Sequence, residues 1–146
     1  MVRFLTGTVL VFCGLLAAYI LEGGTPLNLL GFSALLIVLF MPFFGVLAVW
    51  KFSHWTRAWF HAFQKSEDLA GVKTSLEIWR FSEFACYLSG LVGFLLGLVL
   101  ILGNLTGASA EQLGHSFGAG LIAPMYGLLF GFVCRIMRAR VESVQG

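Results

Sequence analysis

Four stretches of the chain are apolar over lengths that suit a membrane: Phe4–Leu21, Leu29–Trp50, Phe84–Leu102 and Ser116–Ile136. Crossing about 30 Å of hydrocarbon takes roughly 20 residues of helix, so each stretch is long enough to span. None contains Asp, Glu, Lys or Arg except Arg135, at the end of the fourth, where a long side chain can snorkel to the interface. In lipid, backbone polar groups must be satisfied inside a helix or a closed barrel, and the alternating short strands of a barrel are missing. The pattern predicts an all-α integral membrane protein with four transmembrane helices, forming a single membrane domain over residues 1–146.

Residues 51–83 change character. Phe52, Trp55, Trp59 and Phe63 recur at helical spacing, which predicts that the second helix continues beyond the membrane as an amphipathic extension. A turn is expected near Lys65–Lys73, where Gly71 interrupts the pattern. Thr74 and Glu77 then read as a capping box that starts a second long helix, carrying Leu76, Trp79 and Phe84 into the third span. The segment 51–83 is thus expected to be an amphipathic helical hairpin extending spans two and three. It holds Trp55, Trp59 and Trp79, which are candidates for an interface, although an aromatic belt with hairpin packing accounts for them more simply. Ser109 and Gln112 form a second capping box, placed to start the fourth helix just outside the membrane.

Charge orients this arrangement. All nine Lys and Arg residues precede the first span (Arg3), lie between spans two and three (Lys51, Arg57, Lys65, Lys73, Arg80) or close the fourth (Arg135, Arg138, Arg140). The connections Glu22–Asn28 and Gly103–His115 have none. A four-pass chain puts every positive charge on one side, which is expected to be cytoplasmic with both termini, as in a multi-pass protein of the bacterial inner membrane. Only 11% of residues are charged and 59% are hydrophobic, against about 25% charged in soluble domains. The net charge of +2 with no basic run excludes nucleic acid as a partner and leaves the lipid bilayer. The run Phe4–Leu21 exceeds the usual core of a signal peptide and is expected to be a retained helix. Cys13, Cys86 and Cys134 are odd in number and sit in apolar surroundings, where cysteine serves as a small hydrophobe rather than a disulfide framework.

The candidate chemistry is thin. His54, His61 and His115 are not spaced as metal ligands, and there is no nucleophile elbow, phosphate loop or paired intramembrane carboxylate. No enzyme activity, metal or cofactor is expected. Proteins that move ions usually carry an acid within a span, because an ion in hydrocarbon needs a counter-charge. Here none exists, so any titrating carboxylate must come from a partner. Glycine is abundant, 18 in all. Gly90, Gly93 and Gly97 share one face of the third helix, and Gly120, Ala123, Gly127 and Gly131 share one face of the fourth. Small faces let helices approach closely in lipid. They serve either packing of the third helix on the fourth or an interface with other subunits or a guest helix, and both possibilities stand.

Ile20-Leu21-Glu22-Gly23-Gly24-Thr25-Pro26 followed by Ala34-Leu35-Leu36-Ile37-Val38, then Gly90-Leu91-Val92-Gly93-Phe94-Leu95-Leu96-Gly97-Leu98, then Leu102-Gly103-Asn104-Leu105, Gln112-Leu113-Gly114 and Ala123-Pro124-Met125-Tyr126-Gly127-Leu128, resemble in order and spacing the MotA/TolQ/ExbB family of ion-driven motor and channel subunits. The resemblance covers essentially all four spans. It implies a homo-oligomer, a pentamer, enclosing the transmembrane helices of a partner dimer whose single span carries an ion-binding aspartate, with proton or sodium flow driving rotation. It also implies that helices three and four form the inner wall, with Ser89, Gly90, Gly93, Phe94, Gly97, Ser116, Gly120, Ala123, Pro124, Gly127 and Gly131 facing the pore or partner. The chain departs from the family pattern at Phe94 and at Ala123-Pro124, where threonine hydroxyls are usual. Ser89, Ser116 or Tyr126 would then have to substitute. Pro124 removes a helix hydrogen bond and is a candidate kink. The region between spans two and three is much shorter than in flagellar stators, which argues against the usual rotor contact. The alternatives are a non-conducting scaffold ring of the same family and an unrelated four-helix transporter or adaptor.

Overall fold

A computed structural model of the protein describes residues 31–103 and 109–145, together with Val9, Cys13, Gly14 and Ala17. Most of the expected first span, the connection Glu22–Asn28 and the stretch Asn104–Ala108 lie outside the described residues. The described chain is all-helical: α1 (Phe32–Val49), α2 (Phe52–Phe63), α3 (Leu69–Gly103) and α4 (Ala110–Gln145). Two helical segments are long and apolar enough to cross a membrane, Leu69–Gly103 and Gly120–Gln145. The bent pair Ala34–Val49 and Phe52–Phe63 supplies a third if taken together.

The helices α3 and α4 run antiparallel. Gly97 faces Gly120, Gly93 faces Ala123 and Gly90 faces Gly127 along one seam. At 35 and 36 residues each, they reach about 52 Å at 1.5 Å per residue, well beyond the hydrocarbon thickness. α1 lies against this pair, with Ile37 near Gly93, Gly45 against the Phe81 ring and Gly31 against Ile122.

The second helix does not continue as expected. It ends at Val49, Trp50 and Lys51 adopt extended backbone, and α2 leaves at 110° to α1. The reason is burial: α2 buries Ala58, His61 and Ala62 against the basic ends of α3 and α4, whereas a straight extension would carry that face away from them. The Trp50 N–H still reaches the Val46 carbonyl (2.8 Å), so the break leaves few backbone groups unpaired. The third helix, by contrast, extends without interruption as expected, but from an earlier start. Its cap is Asp68, whose Oδ1 accepts from the Gly71 N–H at 3.0 Å. Gly71 therefore lies inside the helix, and Thr74 donates to the Ala70 carbonyl (3.0 Å) instead of opening a capping box. Competing local signals misplace this boundary: glycine is read as a breaker, although an N-terminal turn tolerates it when an aspartate precedes it.

α4 begins after Ser109, where the expected cap lies, and passes through Pro124 and Arg135 without ending. Arg135 thus has nearly three more turns of helix beyond it. α1 also contains a proline, Pro42, which is buried. Proline has no N–H, so the Val38 carbonyl loses its helix partner. Ser89 of α3, fully buried, compensates in part: its single hydroxyl proton is shared between the Cys86 carbonyl at 2.8 Å and the more distant Val38 carbonyl at 3.4 Å. Neighbouring hydroxyls are the usual remedy for a proline in an apolar helix. Ser89→Ala is expected to cost about 0.5–1.5 kcal/mol in detergent unfolding, and less in a Pro42→Ala background that restores the missing N–H. Equal costs in the two backgrounds would mean that Ser89 does not serve Val38.

Candidate functional site

The small-residue faces of α3 and α4 meet each other. A Cβ built on Gly90 would lie 3.0 Å from the Gly127 Cα and 3.1 Å from both the Ala123 carbonyl oxygen and the Pro124 Cα. One on Gly93 would lie 2.7 Å from the Ala123 Cβ, and one on Gly97 would lie 3.2 Å from the Gly120 Cα. Gly131 leaves no room for a side chain against the Tyr87 ring. Ser89, Gly90, Gly93, Ala123, Gly127 and Gly131 are buried within the chain, and Gly97, Gly120 and Pro124 are half-buried. The predicted positions are thus brought together, but by packing inside one chain. The faces left exposed are large and apolar, including Leu91, Leu95, Val99, Leu121 and Leu128. Phe94 is half-buried beside them, and Ser116 lies in α4, its side chain outside those described.

Below the seam, at the basic end, Glu83 is largely enclosed, with its carboxylate 3.7 Å from Arg138 and 4.0 Å from Arg135. The guanidinium of Arg135 is mostly exposed, so this pair contributes little to stability, and the Arg138 pair only slightly more.

The basic end is closed by a polar clasp that the sequence reading did not foresee. Arg140 donates to the Ala62 carbonyl at 2.7 Å and stacks 5.0 Å from the Phe63 ring. Gln145 donates to the carbonyls of His61 (3.3 Å) and Gln64 (3.0 Å) and accepts from the Ser66 N–H (3.0 Å). The end of α4 therefore satisfies carbonyls that the end of α2 leaves open. The sequence signal was weak: a basic residue and a glutamine five positions apart in the last stretch of α4.

His61 is buried, and its Nδ1 lies 2.8 Å from the Ser75 hydroxyl. A serine–histidine contact invites comparison with a nucleophile and its base. However, Ser75 gives its one proton to the Gly71 carbonyl (2.8 Å), so Nδ1 carries the hydrogen of the pair and acts as donor. That polarity suits a structural bond rather than activation of the hydroxyl. Beside it a cleft of about 200 Å3 opens between α2 and the start of α3, lined by His54, Arg57, Asp68, Gly71, Thr74 and Ser75. Among the described residues, no three His, Cys, Asp or Glu side chains come together to hold a metal ion.

The tryptophans form a stacked row. Trp55 packs edge-on against Phe43 and Trp59, and Trp59 against Trp79, with centroids 5.6, 6.0 and 4.9 Å apart. Trp55 and Trp59 remain half-buried, whereas Trp79 is enclosed at 3% exposure. Trp79 is part of the core rather than an open surface.

No protein family matches the chain, and no curated protein or solved structure is significantly similar to it.

Proposed function

We propose that the chain is a ring-forming subunit of an ion-driven membrane complex of the MotA/TolQ/ExbB type, powered by protons or sodium ions in the bacterial inner membrane. It crosses the membrane four times, with Phe4–Leu21 as the first span and both termini and the basic end in the cytoplasm. Five copies surround the transmembrane helices of a partner dimer, whose aspartate carries the ion. The observation that carries this reading is the absence of any charged side chain along Phe84–Leu102 and Gly120–Cys134, combined with broad exposed apolar faces on both helices. An ion crossing beside such helices needs a carboxylate from elsewhere. Because the glycine seam is closed within the chain, the partner meets the leucine-rich faces rather than the glycines.

A second reading, a scaffold ring of the same type that does not conduct, is favoured by Ser89. Its hydroxyl, a candidate to replace the family's threonines, is buried, and its one proton is taken up by the Cys86 carbonyl at 2.8 Å, with the Val38 carbonyl at 3.4 Å. Ala123 is sealed against Gly93, so it offers no path either.

Native mass spectrometry in mild detergent is expected to give five copies, alone or with two copies of a single-span partner. A stable monomer or dimer would reject the ring and favour an unrelated four-helix transporter or adaptor. Within a ring, Phe94→Thr separates the two readings: ion flux into vesicles changes in a conducting assembly and stays at background in a scaffold.

A further inference from the structure

The surface aromatics of α1 run without a gap onto α2. Phe40 packs on Phe44 and Phe44 on Phe43, with ring centroids 5.4 and 5.5 Å apart. Phe43 then meets Trp55 across the 110° bend at 5.6 Å, and Trp55 meets Phe52 at 5.9 Å. All four phenylalanines are exposed and Trp55 is half-buried. At about 100° per residue, Phe52 and Trp55 lie within about 60° of each other around α2, while Arg57 lies about 140° or more from both. A third side holds Ala58, His61 and Ala62, buried against the bundle. α2 thus has an apolar face continuous with α1, a packing face and a basic face. Lys51 directly precedes it, and no acid occurs from Lys51 to Gln64.

The level of α2 fits a membrane interface. It crosses α3 at Ser75 and Trp79, which bond His61 and the Ala58 carbonyl. Those residues precede Phe84, where the apolar stretch of α3 begins, by nine and five positions. At 1.5 Å per residue, the axis of α2 lies roughly 10 Å beyond that stretch. A helix radius of about 5–6 Å brings its near face into the headgroup layer. Arg57 bars α2 from the hydrocarbon itself.

We propose that α2 is an in-plane interfacial helix docked on the phospholipid leaflet at the basic end, and not the second half of a broken span. Phe52 and Trp55 enter the acyl boundary, and Lys51 and Arg57 meet lipid phosphates. The occupant is lipid because the aromatic face of α2 continues the exposed face of a helix already set in the membrane, and its cations complement phosphate. This rests on α1 and α3 crossing the membrane, and not on the ring.

The test uses the full chain with Cys13→Ser, Cys86→Ala and Cys134→Ala, reconstituted in vesicles of phosphatidylcholine and phosphatidylglycerol. Phe52→Cys, Arg57→Cys and Val99→Cys, all at exposed positions, each receive a nitroxide label. Depth is read from collisions with oxygen, which concentrates in lipid, and with a water-soluble nickel chelate. The expected result places the label at 52 about 5–10 Å below the phosphates and the label at 57 at or above them. The label at 99 should lie deeper than both. A label at 52 no deeper than that at 57, or one at 57 as deep as that at 99, would overturn the interfacial helix while leaving the spans in place. A label at 99 exposed to water would overturn both. Wild-type tryptophan fluorescence gives a second measurement that needs no substitution, since all four tryptophans lie within residues 50–79. Lipid nitroxides near the glycerol should quench it more than those near the chain methyls. Equal quenching by the two, or none, would overturn the proposal.

Discussion

Gly127→Leu is expected to abolish the folded protein, and Gly127→Ala to cost about 1–3 kcal/mol in detergent unfolding. The seam leaves no room at this position: a Cβ would lie 2.7 Å from the Cys86 carbonyl oxygen and 2.8 Å from the Gly90 Cα, both backbone atoms. A flexible side chain can step aside, but a helix backbone moves only by carrying its neighbours. Separating α3 from α4 would also loosen Gly93 from Ala123 and Gly97 from Gly120, and would pull the Ser89 hydroxyl away from Val38 on α1. In lipid, close packing is a main source of helix association, because the tails are as apolar as the side chains. Gly118 supplies the control, since nothing lies within 4 Å of a Cβ placed there. Gly118→Ala on the same helix should be neutral or slightly stabilising, as alanine favours helix over glycine by about 1 kcal/mol. The two alanine variants are compared by circular dichroism during titration with a denaturing detergent. A Gly127→Ala protein as stable as Gly118→Ala would mean that the seam is looser than its backbone distances imply.

How far the sequence carried can be judged from these same residues. Gly90, Gly93 and Gly97 and the matching face of α4 were legible, because small residues at helical spacing in apolar stretches mark close contact. Which contact they served was not legible, since one chain's spacing cannot say whether the facing helix is its own. The extension of α3 was also legible in Leu76, Trp79 and Phe84. The break at Trp50-Lys51 was not, because the aromatic periodicity runs straight across it; what decides the 110° turn is the burial of Ala58, His61 and Ala62 against distant helices. Ser89 illustrates the same limit. A lone serine in an apolar helix signals a polar task, but only the position of Pro42 on another helix identifies it. The Arg140 and Gln145 clasp depends on α2 lying across the end of α4, which no local pattern encodes.

Trp79→Ala is expected to destabilise the basic end by about 3–5 kcal/mol, the usual cost of removing a buried tryptophan. Trp79 packs in one core with Val46, Ile78, Met137 and Val141, so elements from α1, α3 and α4 all meet it. Its indole N–H also donates to the Ala58 carbonyl on α2 at 3.3 Å, and its ring closes the aromatic row against Trp59. Trp79→Phe keeps part of the packing but loses the hydrogen bond, and should fall between alanine and wild type. Trp59 should behave differently. Its indole N–H is buried with no hydrogen-bond partner, a burden of about 1–3 kcal/mol, so Trp59→Phe removes a cost along with some contact and should be close to neutral. The damage from Trp79→Ala should also be local. Hydrogen exchange should accelerate across Phe52–Phe63 and the last turns of α4, while amides along Gly90–Gly97 stay protected by the glycine seam. If exchange rises equally in both regions, the hairpin and the seam unfold as one unit, and the basic end is not the separable part that its own core implies.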